Sequence, residues 1–288
     1  MRQYIAQNMP DKNGNLTISG KDFKYLSQVL RLNCNDEIWV RFPDENLVEM
    51  SVSKIQSKQI ILVPARKSSE DDSHVKPNTI KMGDIEYWVF QFVPMHAQLD
   101  LIIRQCVECG VAKIVPVLGE RSPRFNEQTL KAKSERFERL VKEARQQSGS
   151  PVDSKIFEPM NLSSALELWK KNSFLDEKSL NSERNFAEDN IGANSVAFVL
   201  HEANIADKTL FDYITSTVNT SEKRLKRVAL AIGPEGGMTE SEVSAFKNIG
   251  FNLIHFETNV LRCETACLYG IAAIQTAITE LKSWQKSE

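Results

Sequence analysis

Little in this chain points to a membrane, an export route or a metal. No apolar run approaches the roughly 20 residues that a bilayer-spanning helix needs. The opening Met1-Arg2-Gln3-Tyr4-Ile5-Ala6-Gln7-Asn8 lacks the apolar core of a secretory signal. A cytoplasmic protein with no membrane partner is the default expectation. The five cysteines (Cys34, Cys106, Cys109, Cys263, Cys267) form no secreted disulfide framework. Cys106 and Cys109 have CxxC spacing but no second ligand pair for zinc, and Cys106 continues the helical apolar set Leu99, Ile102, Ile103, so it is expected in the core. The four histidines show no metal-ligand spacing, and no metal is expected. A net charge of −2 argues against wholesale electrostatic attraction to nucleic acid, while leaving room for a local basic surface.

What is present fits a globular protein of one large domain or two modest ones: 288 residues, 41% apolar and 26% charged. Residues 1–70 carry short alternating segments (Asn15 to Ile18, Glu37 to Phe42, Leu47 to Ile55, Gln59 to Pro64) separated by turn formers such as Asp11-Lys12-Asn13-Gly14. One helix is expected among them, Gly20 to Leu32. This pattern reads as a small β-barrel-like module. The polar stretch Arg66 to Asp84 reads as a linker, placed at 71–85, before a second domain at 86–288. There the pattern changes to strands (Glu86 to Val93, Lys113 to Leu118, Val196 to Leu200, Val228 to Ile232, Leu253 to Phe256) alternating with helices (Ala97 to Cys109, Leu130 to Gln147, Thr239 to Ile249, Thr265 to Trp284). Continuous apolar strands between amphipathic helices imply an α/β fold with a mostly parallel sheet covered on both faces. Lys171 to Asn194 is polar and aperiodic and reads as a surface loop.

The chemistry gathers after the strands. Gly119-Glu120-Arg121-Ser122-Pro123-Arg124, His201-Glu202, Gly233-Pro234-Glu235-Gly236-Gly237 and Glu257-Thr258-Asn259-Val260-Leu261-Arg262 each follow a strand. Open parallel sheets bind ligands at their carboxyl edge, so four such loops favour a site there. The glycine loop is neither GxGxxG nor a P-loop. A tight turn with a helix cap would explain Gly236 and Gly237, but not the Pro234-Glu235 pair between glycines.

Gly233 to Gly237, Leu261-Arg262 with Glu264-Thr265-Ala266, Leu200-His201-Glu202, Gly119 to Ser122, and Val29-Leu30-Arg31-Leu32 with Asp36-Glu37 together resemble the RsmE family, bacterial enzymes that methylate N3 of a uridine in 16S ribosomal RNA. The resemblance covers nearly the whole chain, and the GPEGG and LRxETA runs in this order are its specific part. It implies an N-terminal PUA-like β-barrel, a C-terminal SPOUT-type methyltransferase domain with a trefoil knot, S-adenosylmethionine (S-adenosyl-L-methionine) as cofactor, the small ribosomal subunit as partner, and a homodimer. The apolar stripe Cys267, Ile271, Ile274, Ile278, Leu281 suits a dimer interface and suits a buried core helix equally.

By this resemblance the cofactor is held by Leu200, His201, Glu202, Ile232, Gly233, Pro234, Glu235, Gly236, Gly237, Asn259, Val260, Leu261, Arg262, Thr265 and Ala266. Uracil N3 carries a proton and is a poor nucleophile while neutral, so methylation needs proton removal or stabilised negative charge. Arg262 is the candidate to favour the anionic ring. Glu264 either orients Arg262, accepts the proton, or serves as a first-turn residue favoured by the helix dipole. Arg2, Arg31, Glu120, Arg121 and Arg124 are the RNA-binding candidates, with Glu120 and Arg121 alternatively an ion pair shaping the pocket. The chain departs from the family at Met95-His96-Ala97-Gln98, at Gln146-Gln147-Ser148-Gly149-Ser150 (no Glu or Arg) and at Asn259 (no basic residue). These departures leave the cofactor pocket intact, and either the RNA grip uses other residues (Arg2, Arg31, Arg124, Arg136, Arg139) or the target differs; Arg136 and Arg139 read first as a solvated helix face paired with Glu135 and Glu138. Two rival readings are an RNA-binding protein of this fold without catalysis and a SPOUT enzyme methylating ribose 2′-hydroxyls.

Overall fold

The computed structural model describes residues 3–65, 85–123, 132–173, 194–220 and 225–284. The chain divides into two units, Met1–Ile80 with Arg145–Pro151, and Lys81–Ala144 with Val152–Glu288. The linker stretch expected at Arg66 to Asp84 lies outside the described residues, as does most of the loop expected at Lys171 to Asn194.

In the first unit, strands β1 (Gln3–Ile5), β2 (Leu16–Ser19), β3 (Glu37–Arg41), β4 (Leu47–Gln56) and β5 (Gln59–Pro64) form one sheet in the order β1-β3-β4-β5-β2. Every pairing is antiparallel except β1 with β3. Alternation sets the faces: Leu16 and Ile18 are buried while Thr17 and Ser19 are exposed. The Asp11 side chain shapes the turn before β2, accepting from the backbone N–H of Asn13 and Asn15. The expected helix is shorter and less regular than its apolar spacing suggests. It is α-helical over Gly20–Lys24 (α1), continues as a π-helical turn Tyr25–Val29, and stops at Arg31, whose φ of 56° cannot continue a right-handed helix. Arg145–Pro151 is tied to β1, since Gln3 Nε2 donates to the carbonyls of Arg145 (3.1 Å) and Ser150 (3.2 Å), and Ile5 N donates to Gln146 Oε1 (3.2 Å). Arg145, almost fully buried, pairs with Glu45 at 2.5 Å.

In the second unit, β6 (Glu86–Phe92), β7 (Lys113–Leu118), β8 (Lys155–Ile156), β9 (Met160–Asn161), β10 (Ser195–Leu200), β11 (Arg227–Ile232) and β12 (Asn252–Ile254) form a sheet ordered β12-β10-β11-β6-β7-β8, with β9 also on β7. All pairings are parallel. Helices cover both faces, which is why the central strands are apolar throughout. On one face Val89, Ile114, Phe198, Val228 and Leu230 pack with α2 (His96–Glu108), α3 (Ser134–Ser148), α5 (Leu210–Thr220) and α7 (Cys263–Trp284). On the other, Trp88, Phe90, Phe92, Val115 and Val199 pack with α4 (Leu162–Ser173) and α6 (Glu240–Lys247). Each fully buried aliphatic or aromatic side chain contributes roughly 1.5–3 kcal/mol.

Thr239 caps α6 with a full capping box, accepting from Glu242 N while Glu242 accepts from Thr239 N. The stripe on α7 faces the chain's own core: Cys267, Ile271, Ile274 and Ile278 are each at most 3% exposed. It is therefore not a dimer seam. Cys106 and Cys267 meet there at 3.7 Å between sulfurs. The strand expected to reach Phe256 ends at Ile254, and α7 begins two residues before Thr265. No described helix is long and apolar enough to cross a membrane.

Candidate active site

Parallel pairing aligns the strand ends. Leu200 sits beside Ile232 and Ile254, and Ile232 sits beside Gln91, so the turns leaving β10, β11 and β12 emerge side by side. They enclose, with the starts of α2 and α7, a cavity of about 390 Å³. Of the expected cofactor residues, Leu200, His201, Glu202, Ile232, Gly233, Pro234, Glu235, Gly237, Asn259, Val260, Leu261, Arg262 and Ala266 line it, joined by Glu264. Gly236 and Thr265 do not. Gln98, Met238, His255, Phe256, Thr258 and Cys263 also line it and are not among the expected cofactor residues. Met238 directly follows the glycine motif and Cys263 sits inside the other, so their positions alone could have nominated them. Gln98, His255 and Phe256 enter through topology and carried no comparable signal.

The fourth expected loop, after β7, does not line the cavity. Glu120 and Arg121 form no ion pair among the described residues. Instead Arg121 donates to the carbonyls of Gly236 (2.8 Å) and Met238 (3.5 Å), and Glu120 Oε1 accepts from Ser241 Oγ (3.0 Å). Arg2 and Arg124 lie outside the described residues, and Arg31 is exposed in the first unit. Arg136 pairs with Asp100 rather than with its neighbouring glutamates.

The glycine loop is fixed at several points. Gly237 has φ of 70°, a left-handed conformation that favours glycine, and a Cβ there would lie 3.0 Å from Glu202 Oε1. Glu235 Oε1 accepts from Met95 N (2.9 Å) at the entrance to α2. His201 N donates to the Ile254 carbonyl (3.0 Å), and His255 Nδ1 lies 3.1 Å from the His201 carbonyl.

Three carboxylates (Glu202, Glu235, Glu264) and one guanidinium (Arg262) surround the cavity. Arg262 is exposed and makes no ion pair among the described residues, so Glu264 does not hold it by a salt bridge. Glu264 Oε2 instead accepts from the Cys263 thiol at 3.3 Å. Burial, the hydrogen bond to Glu264 and the negative charges of Glu235 and Glu264 push that thiol up to about 12, so at neutral pH it is a proton donor and not a thiolate. Such a cavity, with backbone groups at three strand ends and three carboxylates around it, suits a small polar molecule that carries positive charge.

A family model described as an RNA methyltransferase domain matches residues 82–275. The chain belongs to that family. Among related proteins, ribosomal RNA small subunit methyltransferase E 2 of Borreliella burgdorferi is 26% identical over 270 residues, spanning 93% of this chain and 94% of its own. Ribosomal RNA small subunit methyltransferase E of Aquifex aeolicus is 31% identical over 168 residues, 58% of each chain. Among solved structures, the ribosomal RNA small subunit methyltransferase E of Neisseria gonorrhoeae bound to S-adenosyl methionine superposes with a TM-score of 0.68 at 19% identity, covering 96% of this chain and 97% of that one. That likeness is one of fold: an RNA methyltransferase architecture carried by a sequence that has diverged widely. The matched residues take in every residue that lines the cavity.

Proposed function

We propose that the cavity holds S-adenosylmethionine and that the chain methylates N3 of a uridine in the 16S rRNA of the small ribosomal subunit, acting in the cytoplasm. One observation carries this reading: turns from three adjacent parallel strands close around a single cavity in a member of the RNA methyltransferase family. The relatives named ribosomal RNA small subunit methyltransferase E, and the solved one with bound S-adenosyl methionine, support it.

The residues fit the cofactor. Backbone groups of Leu200, Ile232 to Glu235, Gly237 and Asn259 to Leu261 suit adenine, ribose and the methionyl chain, with Ala266 beside them. The carboxylates of Glu202, Glu235 and Glu264 suit a ligand with a cationic sulfonium and ammonium. The bound cofactor supplies an electrophilic methyl group. The chain's own groups handle the acceptor. Arg262, exposed at the rim, faces the uracil carbonyls and favours the anionic ring. Glu264 takes the N3 proton, and the Cys263 S–H bond holds its carboxylate in place. Arg31, with Arg2 and Arg124, grips the RNA backbone.

The finer architecture follows the same reading. The first unit's five-stranded sheet is a PUA-like barrel, and the second is a SPOUT-type domain whose chain threads a trefoil knot near the cavity. The chain acts as a homodimer. The outer face of α7 next to the cavity supports this, since Leu268, Tyr269, Ala272 and Thr276 are exposed and uncharged, and Val260 is 85% exposed. Sedimentation of the purified chain at twice the chain mass is expected, and a monomer at tens of micromolar contradicts it.

The function is tested by incubating the protein and S-adenosylmethionine with small subunits from a deletion strain, then mapping modified nucleosides by mass spectrometry. One new 3-methyluridine is expected. No methylation, or methylation on a ribose 2′-hydroxyl, refutes the reading.

A further inference from the structure

The loop after β7 is expected to face RNA or to shape the pocket, and its hydrogen bonds go to the chain itself, although Arg121 is exposed. Glu242 is 4% exposed, and its two carboxylate oxygens serve different segments. Oε2 accepts from Thr239 N at 2.8 Å, closing the capping box, and Oε1 accepts from Glu120 N at 2.8 Å, 122 residues away in sequence. Gly119 makes room for this seat: a Cβ there would lie 2.3 Å from Phe92 and 2.6 Å from Glu242 Oε1. Arg121 completes the junction through the carbonyls of Gly236 and Met238, and Ser241 Oγ donates to Glu120. None of residues 119–122 lines the cavity, whereas Gly233, Pro234, Glu235, Gly237 and Met238 do.

We propose that Arg121 and Glu242 are positioning residues that set the shape of the methyl-donor pocket through the glycine loop, and that Arg121 is not an RNA contact. The physical basis is direct. Glycine at both 236 and 237 leaves the loop backbone more conformational freedom than other residues would, and the bond from Gly237 N to the Pro234 carbonyl (2.9 Å) removes only part of it. The Arg121 guanidinium fixes two carbonyls that frame Gly237. The Glu242 carboxylate fixes the N–H at each end of the junction. A loop that is already ordered before the ligand arrives loses less entropy on binding it.

The proposal rests on the cofactor reading above, and its test separates the two. Calorimetric titration of S-adenosylmethionine into the full chain is compared with RNA affinity, measured by filter binding to a small-subunit rRNA fragment, for wild type, Arg121→Ala, Arg121→Lys and Glu242→Gln. Melting temperatures are recorded alongside, and binding is measured well below them. Arg121→Ala is expected to weaken cofactor affinity by about tenfold, the scale of one lost charged hydrogen bond. Arg121→Lys, which keeps one donor, recovers part of it. Glu242→Gln, which places an N–H against an N–H, weakens the cofactor similarly. RNA affinity stays within twofold throughout. Cofactor affinity unchanged in Arg121→Ala, with RNA affinity reduced, overturns the proposal in favour of an RNA contact. A lower melting temperature with cofactor affinity unchanged overturns it in favour of a purely structural brace. A wild-type chain that binds no S-adenosylmethionine overturns the cofactor reading itself, and this proposal with it.

Discussion

At the scale of single residues, charge decides most of the site. Arg262 is the one guanidinium on the cavity wall and stands unpaired among the described residues, beside three carboxylates. Its removal leaves the backbone that holds the cofactor untouched. Arg262→Ala is therefore expected to bind S-adenosylmethionine within about twofold of wild type while turnover falls by at least roughly a hundredfold, on the scale of a lost charge-stabilising donor. Calorimetry with single-turnover methylation checks both halves, and normal turnover contradicts its role. Cys263 makes a different prediction. Its thiol rises from an ordinary value of 9.0 to about 12, so the folded chain holds the proton more tightly than the unfolded chain. The resulting stabilisation is fully present below about pH 9 and is lost as pH climbs towards about 12. Burial raises the Tyr87 hydroxyl to about 12, in the same direction. Urea midpoints should fall from pH 9 upward, less steeply in Cys263→Ser, and equal slopes in the two proteins would exclude the thiol.

Among elements, local signals were readable where one period dominates. The strands at Lys113–Leu118 and Gln59–Pro64 match their apolar runs end to end, and the capping box at Thr239 forms as its sequence prescribes. Replacing Thr239 by Ala removes the bond to Glu242 N and is expected to cost about 1 kcal/mol in urea unfolding; no change would mean that the Glu242 carboxylate alone holds the helix start. Two helices escaped notice. In α4 the apolar positions Ala165, Leu166 and Trp169 do follow helical spacing, but the polar tail Lys170-Lys171-Asn172-Ser173 merges into the stretch read as loop. In α5 the Thr content dilutes the stripe around buried Ile214. The Glu242 junction was illegible for another reason: its partners are 122 residues apart, and only the placement of β7 beyond β6 brings them together. The same holds for Gln98 and His255 at the cavity, whereas the residues of the two motifs were legible because one motif directly follows a strand and the other opens a helix.

For the whole molecule, the fold follows from one topological fact, that β10 lies between β11 and β12 in a parallel sheet. Three carboxyl-end turns are thereby neighbours, and a chain with few charged strand residues gains both a two-sided core and an edge cavity from one arrangement. Amide hydrogen exchange of the intact chain with and without saturating S-adenosylmethionine tests the central claim most directly. The account predicts slowed exchange at residues 200–202, 232–238 and 255–264, with the amides of β2 to β5 unchanged; protection elsewhere, or none at all, would contradict it.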